Sequence, residues 1–162
     1  MSSLRVLVAG DSDLLNSVLK TSLLRWGYEV ITVQDGEQAC LALCLGNLDL
    51  CLISSELRKV SGLEVCRFVR QSDISRQPYV ILLTPTVSTE SMRAAYMAGA
   101  NDFLTTPLSL QDVKTRIAGV AGRISQVHSL AQAFQGLDPI ERYRRDLSLH
   151  ADVNMSRVRR NH

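Results

Sequence analysis

The chain has no apolar run of the roughly 18 residues that a membrane-spanning helix needs, so no segment reads as a bilayer anchor. The N-terminal stretch Met1-Ser2-Ser3-Leu4-Arg5 enters a strand-like segment directly, without the basic start, apolar helix and small-residue cleavage site of a secretory signal. Cysteine is sparse. Cys40, Cys44, Cys51 and Cys66 form no CxxC pair, and His128, His150 and His162 all lie far from them toward the C-terminal end. That spacing excludes the usual zinc patterns and leaves the cysteines as reduced, small apolar residues of a cytoplasmic protein. Aromatics are also few, at 5% of the residues, and no basic stretch is interleaved with them. The stacking surfaces of single-strand nucleic-acid binders are therefore missing.

What is present is an ordinary globular composition. The 162 residues are 46% apolar and 21% charged, enough for one domain with some chain left over. The net charge of +2 is unevenly spread. Residues 1–122 hold 11 Lys/Arg and 12 Asp/Glu, whereas residues 123–162 hold 7 Arg and 4 Asp/Glu. The basic excess belongs to the tail.

Short β-branched runs alternate with helical patterns along residues 5–122. Strands are expected at 5–9, 28–33, 50–53, 79–83 and 102–105. Helices are expected from Asp13 to Gly27, at 36–45, 62–70 and 88–98, and from near Ser109. In the first helix Leu14, Leu15, Val18, Leu19, Leu23 and Leu24 are expected to share the buried face. The alternation calls for an α/β fold: a flavodoxin-like, doubly wound, five-stranded parallel sheet with helices on both faces. In that architecture the working site lies beyond the C-terminal ends of the strands. The residues there are Gly10 and Asp11, Ser54 and Ser55, Thr84 and Pro85, and Thr106 and Pro107.

Those residues carry a resemblance to bacterial response-regulator receiver domains, spanning about residues 4–122. Its carriers are Val6 to Asp11, Trp26-Gly27-Tyr28-Glu29-Val30 with Asp35-Gly36-Glu37-Gln38-Ala39, Ser61-Gly62-Leu63-Glu64-Val65, Leu82-Leu83-Thr84, and Ala98 to Leu104 with Pro107. No one piece is specific, but their order and spacing are. The resemblance implies a pocket in which two acids after the first strand and an aspartate after the third hold Mg²⁺. That aspartate accepts a phosphoryl group from a histidine kinase, and a hydroxyl and a lysine bind its oxygens.

The chain departs from that pattern residue by residue. Gly10 stands at the first acid position, and Asp11 keeps the second. Ser54 stands at the phosphoacceptor position, Thr84 keeps the hydroxyl, and Thr106 replaces the lysine. Leu57-Arg58 replaces a Met-Pro pair, and Ser61 replaces an aspartate before Gly62. A serine without an activating base is a poor nucleophile, and one carboxylate is a poor Mg²⁺ site. The expectation is an atypical, phosphorylation-independent regulator in bacterial two-component signalling, with no cofactor, no resident metal and no catalysis, acting on a protein partner. The alternative is a conventional phosphorelay receiver, with Glu56 as a rescuing acid or the register misassigned. By resemblance, Phe103 is a switch-like aromatic and Thr106-Pro107 a cis bond. The partner surface of the family corresponds here to Arg93, Tyr96, Met97, Leu104 and Asp112.

The last helix continues past the receiver-like region (1–122) into a helical extension (123–150) and a basic, disordered tail (151–162). Ile124, Val127, Ala131 and Phe134 prolong a 4-3 spacing begun by Val113, Ile117 and Val120, the seam of a coiled coil. The extension either pairs with a second copy, giving a homodimer, or folds back on its own domain or awaits another partner. Gly136-Leu137-Asp138-Pro139 breaks the helix, and Asp138 can cap a short one to about Leu149. Six arginines follow Asp138, but a solvated basic tail is the better reading than nucleic-acid binding. A remote third reading is a serine esterase. Gly10-Asp11-Ser12 resembles the nucleophile block of GDS-type esterases, and Gly99-Ala100-Asn101-Asp102 their oxyanion block. Their late Asp-x-x-His has only Asp146 and His150 as a counterpart, one residue too far apart.

Overall fold

The computed structural model describes residues 3–74 and 77–135. Five parallel strands form the sheet: β1 (Arg5–Ala9), β2 (Glu29–Val33), β3 (Leu50–Ser54), β4 (Tyr79–Thr84) and β5 (Asp102–Thr105). They lie in the order β2-β1-β3-β4-β5. The connecting helices are α1 (Asp13–Arg25), α2 (Gly36–Leu45), α3 (Gly62–Gln71) and α4 (Thr89–Ala98), and α5 (Leu110–Gln135) follows β5. This is the doubly wound architecture expected from the sequence.

Strand composition explains the layering. In β3 the first four residues are all buried, as a central parallel strand covered on both faces requires. One face packs Leu7, Ala9, Cys51, Ile53, Val80 and Leu82 into a cluster with Ala39 and Leu43 of α2, Val65, Cys66 and Val69 of α3, and Ala95 and Ala98 of α4. The alternate residues Val6, Val8, Leu52, Ile81 and Leu83 are equally buried and point to the opposite face, where α1 lies against β1 and β2.

The buried face of α1 is narrower than its apolar content suggests. Leu19 and Leu23 are fully buried, with Asn16 beside them, whereas Leu14, Val18 and Leu24 are exposed. At about 100° per residue, Leu14 and Leu24 sit about 140° around the helix from Leu19, and Val18 about 100°. A sheet covers only a stripe, so the expectation of a six-residue apolar face is corrected.

Residues 1–118 form one compact unit, and α5 is a continuous helix of 26 residues that runs to Gln135. From Gly119 onward, Ile124 is half-buried and Val127 and Leu130 are exposed. The side chains of Ala131 and Phe134, the expected helix after Asp138, and the basic tail lie outside the described residues. No helix among the described residues is long and apolar enough to cross a membrane.

Candidate functional site at the strand ends

The strand order reverses between β1 and β3, so a crevice opens beyond their C-terminal ends. Pairing of Ala9 with Ile53, Ser54 with Leu83 and Thr84 with Thr105 brings the ends of four strands side by side. Gly10 is buried and Asp11 exposed. Ser54 is half-buried, and its Oγ accepts the Glu56 backbone N–H at 3.4 Å. Thr84 is buried, and its hydroxyl donates to the Thr86 carbonyl at 3.2 Å and accepts the Thr86 N–H at 3.4 Å. The Thr106 N–H donates to the Thr84 carbonyl at 2.9 Å, and the Thr106-Pro107 bond is cis.

Close backbone approaches fix the crevice floor. A Cβ on Gly62 would lie 2.1 Å from the Ser54 carbonyl oxygen, so α3 begins directly against the end of β3. A capping box between Ser61 and Glu64 fixes that helix start. Gly36 sits equally close to the Val60 carbonyl. The loop between them carries Lys59 at φ 67°, a left-handed conformation unusual for a long side chain. The Lys59 ammonium reaches Asp35 and Glu37 at 3.5 Å each. The Gln38 N–H, more than Lys59, holds the Asp35 carboxyl below its usual range.

The residue that sequence reasoning missed is Asn16. It is 7% exposed, and its Nδ2 donates to the carbonyls of Gly10 at 2.7 Å and Val33 at 3.2 Å. A polar residue about 60° around the helix from Leu19 was the available signal, since that position faces the sheet. Among the described residues, no three His, Cys, Asp or Glu side chains gather at one point.

Other expected residues fall as follows. Arg93, Tyr96, Met97 and Asp112 are exposed. Leu104 is 7% exposed and is withdrawn as a surface residue: alternation in β5 turns it inward. Phe103 is half-buried and packs edge-on against Tyr96, with ring centroids 6.0 Å apart. The esterase reading also fails on position. Ser12 follows the C-terminal end of β1 and caps α1 through the Leu15 N–H. Gly99 to Asn101 precede the N-terminal end of β5. In a parallel sheet those are opposite ends of the strands, and the Asn101 side chain is held by Oδ1 accepting from Arg70 and the Val80 N–H. Asp146 and His150 lie outside the described residues. The two buried thiols are quiet: burial pushes Cys51 far up and Cys66 to about 11.

Comparison with known proteins gives a consistent picture. The family model for the response regulator receiver domain matches residues 6–118. The chain is 34% identical over 113 residues to the transcriptional regulatory protein YrkP of Bacillus subtilis, covering 70% of this chain and 47% of that protein. It is 30% identical over 119 residues to the alkaline phosphatase synthesis transcriptional regulatory protein PhoP of Bacillus subtilis, covering 74% and 49%. The chain thus spans about half the length of these curated relatives. Among solved structures, the receiver domain of the Francisella response regulator 1452 superposes with a TM-score of 0.70 at 26% identity, covering 75% of this chain and 98% of that one.

Proposed function

From the premise that this chain belongs to the response regulator receiver family, we propose that it is an atypical receiver that signals by protein contact without taking up a phosphoryl group. One observation carries this reading. At the β1–β3 crevice the side-chain space at position 10 is taken by the Asn16 amide, which leaves Asp11 as the carboxylate following β1.

A magnesium ion, which the family implies, does not fit this donor set. Mg²⁺ takes oxygen ligands in a near-octahedral shell and is usually anchored by carboxylates. Here position 10 has no side chain, and position 54 offers a neutral hydroxyl. Nor is Ser54 activated as a nucleophile, since its hydrogen bond comes from a backbone N–H and not from a base. The losses agree with one another. A lysine at position 106 without a carboxylate at 54 would leave an unpartnered charge in a half-buried place, at a cost of roughly several kcal/mol. Thr106 avoids it.

Output then rests on surfaces. Arg93, Tyr96, Met97 and Asp112 supply the candidate surface for a protein partner in the cytoplasm. The exposed Val127, with Ile124 on the same helix, supplies a second candidate surface, for pairing with a second copy along the sequence seam that continues to Ala131 and Phe134. The regulation of transcription named for the relatives is not carried over, because the match covers only about half of their length.

Calorimetric titration of the full chain with MgCl₂ tests the pocket. The expected result is no saturable heat up to about 10 mM, since the carboxylate set that anchors Mg²⁺ is missing. A saturating isotherm in that range would favour the conventional phosphorelay reading.

A further inference from the structure

Asn16 lies on the buried face of α1, near its start, with its amide orientation dictated by its neighbours. Both groups that Nδ2 meets, the carbonyls of Gly10 and Val33, are acceptors, so only the amino end can face them. The amide oxygen is thereby turned toward the Gly10 α-carbon, where it is buried and has no hydrogen-bond partner. A Cβ added to Gly10 would stand 2.7 Å from that oxygen, well inside contact distance. Rotating the amide by half a turn would bring Oδ1 against two carbonyl oxygens and leave a nitrogen in the same crowded place.

We infer that Gly10 and Asn16 form an interlock that shuts the first acid position, so that a side chain can enter at 10 only if Asn16 withdraws. This rests on the reading of the crevice given above and adds the residue that enforces it. Asn16 is a positioning residue. It ties the end of β1 to the end of β2 through two carbonyls, and the same bonds prevent it from yielding to a Cβ. Its oxygen has room there because position 10 presents only an α-carbon. The pocket therefore cannot regain its first acid by one substitution: an aspartate at 10 would displace Asn16, free the buried Gly10 carbonyl, leave the Val33 carbonyl with the Gly10 N–H alone and distort the crevice in which Asp11 sits.

The test is a double-mutant cycle in the full chain with Gly10→Ala, Asn16→Ala and both, read by urea denaturation. The added methyl group alone makes the collision, so no charge is needed. Gly10→Ala is expected to lower the folding equilibrium constant about tenfold in the native background and less than about threefold once Asn16 is alanine, as for residues in direct contact. Equal losses in the two backgrounds would overturn the interlock. Should Gly10→Ala leave the chain unfolded, recovery of folding by Asn16→Ala supports the proposal, and failure to recover overturns it. A second readout is Mg²⁺ affinity in chains carrying Gly10→Asp. Adding Asn16→Ala is expected to tighten it about tenfold or more, an effect that a merely structural Asn16 would not produce. Unchanged affinity counts against the interlock. Phosphorylation of the unaltered protein would defeat the functional reading while leaving the Gly10–Asn16 coupling intact, so the two failures are separable.

Discussion

Replacing Gly62 by alanine measures how tightly α3 is set against the end of β3. The new Cβ would lie 2.1 Å from the Ser54 carbonyl oxygen and 2.8 Å from the Ser54 carbonyl carbon and the Ser55 α-carbon. Ordinary contacts between such atoms fall near 3.5 Å, so the backbone must part by about 1 Å. No rotamer change can relieve it, because every atom met is main chain. Overpacking of this kind costs about 1–3 kcal/mol, and the usual gain of alanine over glycine in a helix returns at most about 1 kcal/mol. The expected net loss is about 1–2 kcal/mol. The control is Gly119→Ala in α5, where a Cβ meets nothing within 4 Å and the same chemical change should stabilise by about 0.5–1 kcal/mol. Urea unfolding followed by far-ultraviolet circular dichroism reads both. With a slope of about 1–3 kcal/mol per molar urea, the Gly62→Ala midpoint should fall by about 1 M. A Gly62→Ala midpoint equal to that of the unaltered protein would refute the close approach of α3 to Ser54.

Two further outcomes follow from the charges and thiols. Asp35 is held below its usual pKa in the fold, so its charge contributes stability above the unfolded value of 3.8 and loses it as pH falls through the lower folded value. Asp35→Asn keeps a capping side chain without the charge, so it should be less stable near neutral pH and converge with the unaltered protein only as pH falls past the folded value, which lies below 3.8; a gap that persists in stronger acid would argue against the linkage. At pH 8 a thiol reagent should modify Cys44 first and Cys40 more slowly, while the buried Cys51 and Cys66 react only on unfolding. Rapid reaction of all four in the native protein would contradict the packing of β3 and α3.

The strands were legible in the sequence because β1, β3 and β4 are buried on both faces, and such strands read as unbroken apolar runs. The starts of α1, α2 and α4 were placed to within one residue, and each follows a capping side chain, Ser12, Asp35 and Ser88. The residues at the strand ends followed from topology alone. What the pattern hid was geometry at right angles to the chain. Leu14, Val18 and Leu24 looked like core because composition counts apolar residues without limiting the width of the covered stripe. Leu104 was read as surface from resemblance, against the inward alternation of β5. Asn16 was not singled out, because its partners are Gly10, six positions away, and Val33 on the next strand. The demand for glycine at 36 and 62 arises from carbonyls brought close by the fold, which no local pattern encodes.

The central claim is that this crevice does not accept a phosphoryl group. Its most direct test is incubation of the full chain with acetyl phosphate and Mg²⁺, followed by intact and peptide mass spectrometry. The expected result is an unmodified chain under conditions that phosphorylate a conventional receiver in the same tube. A base-labile phosphoryl adduct on Glu56 or Asp11, or a stable one on Ser54, would contradict the account.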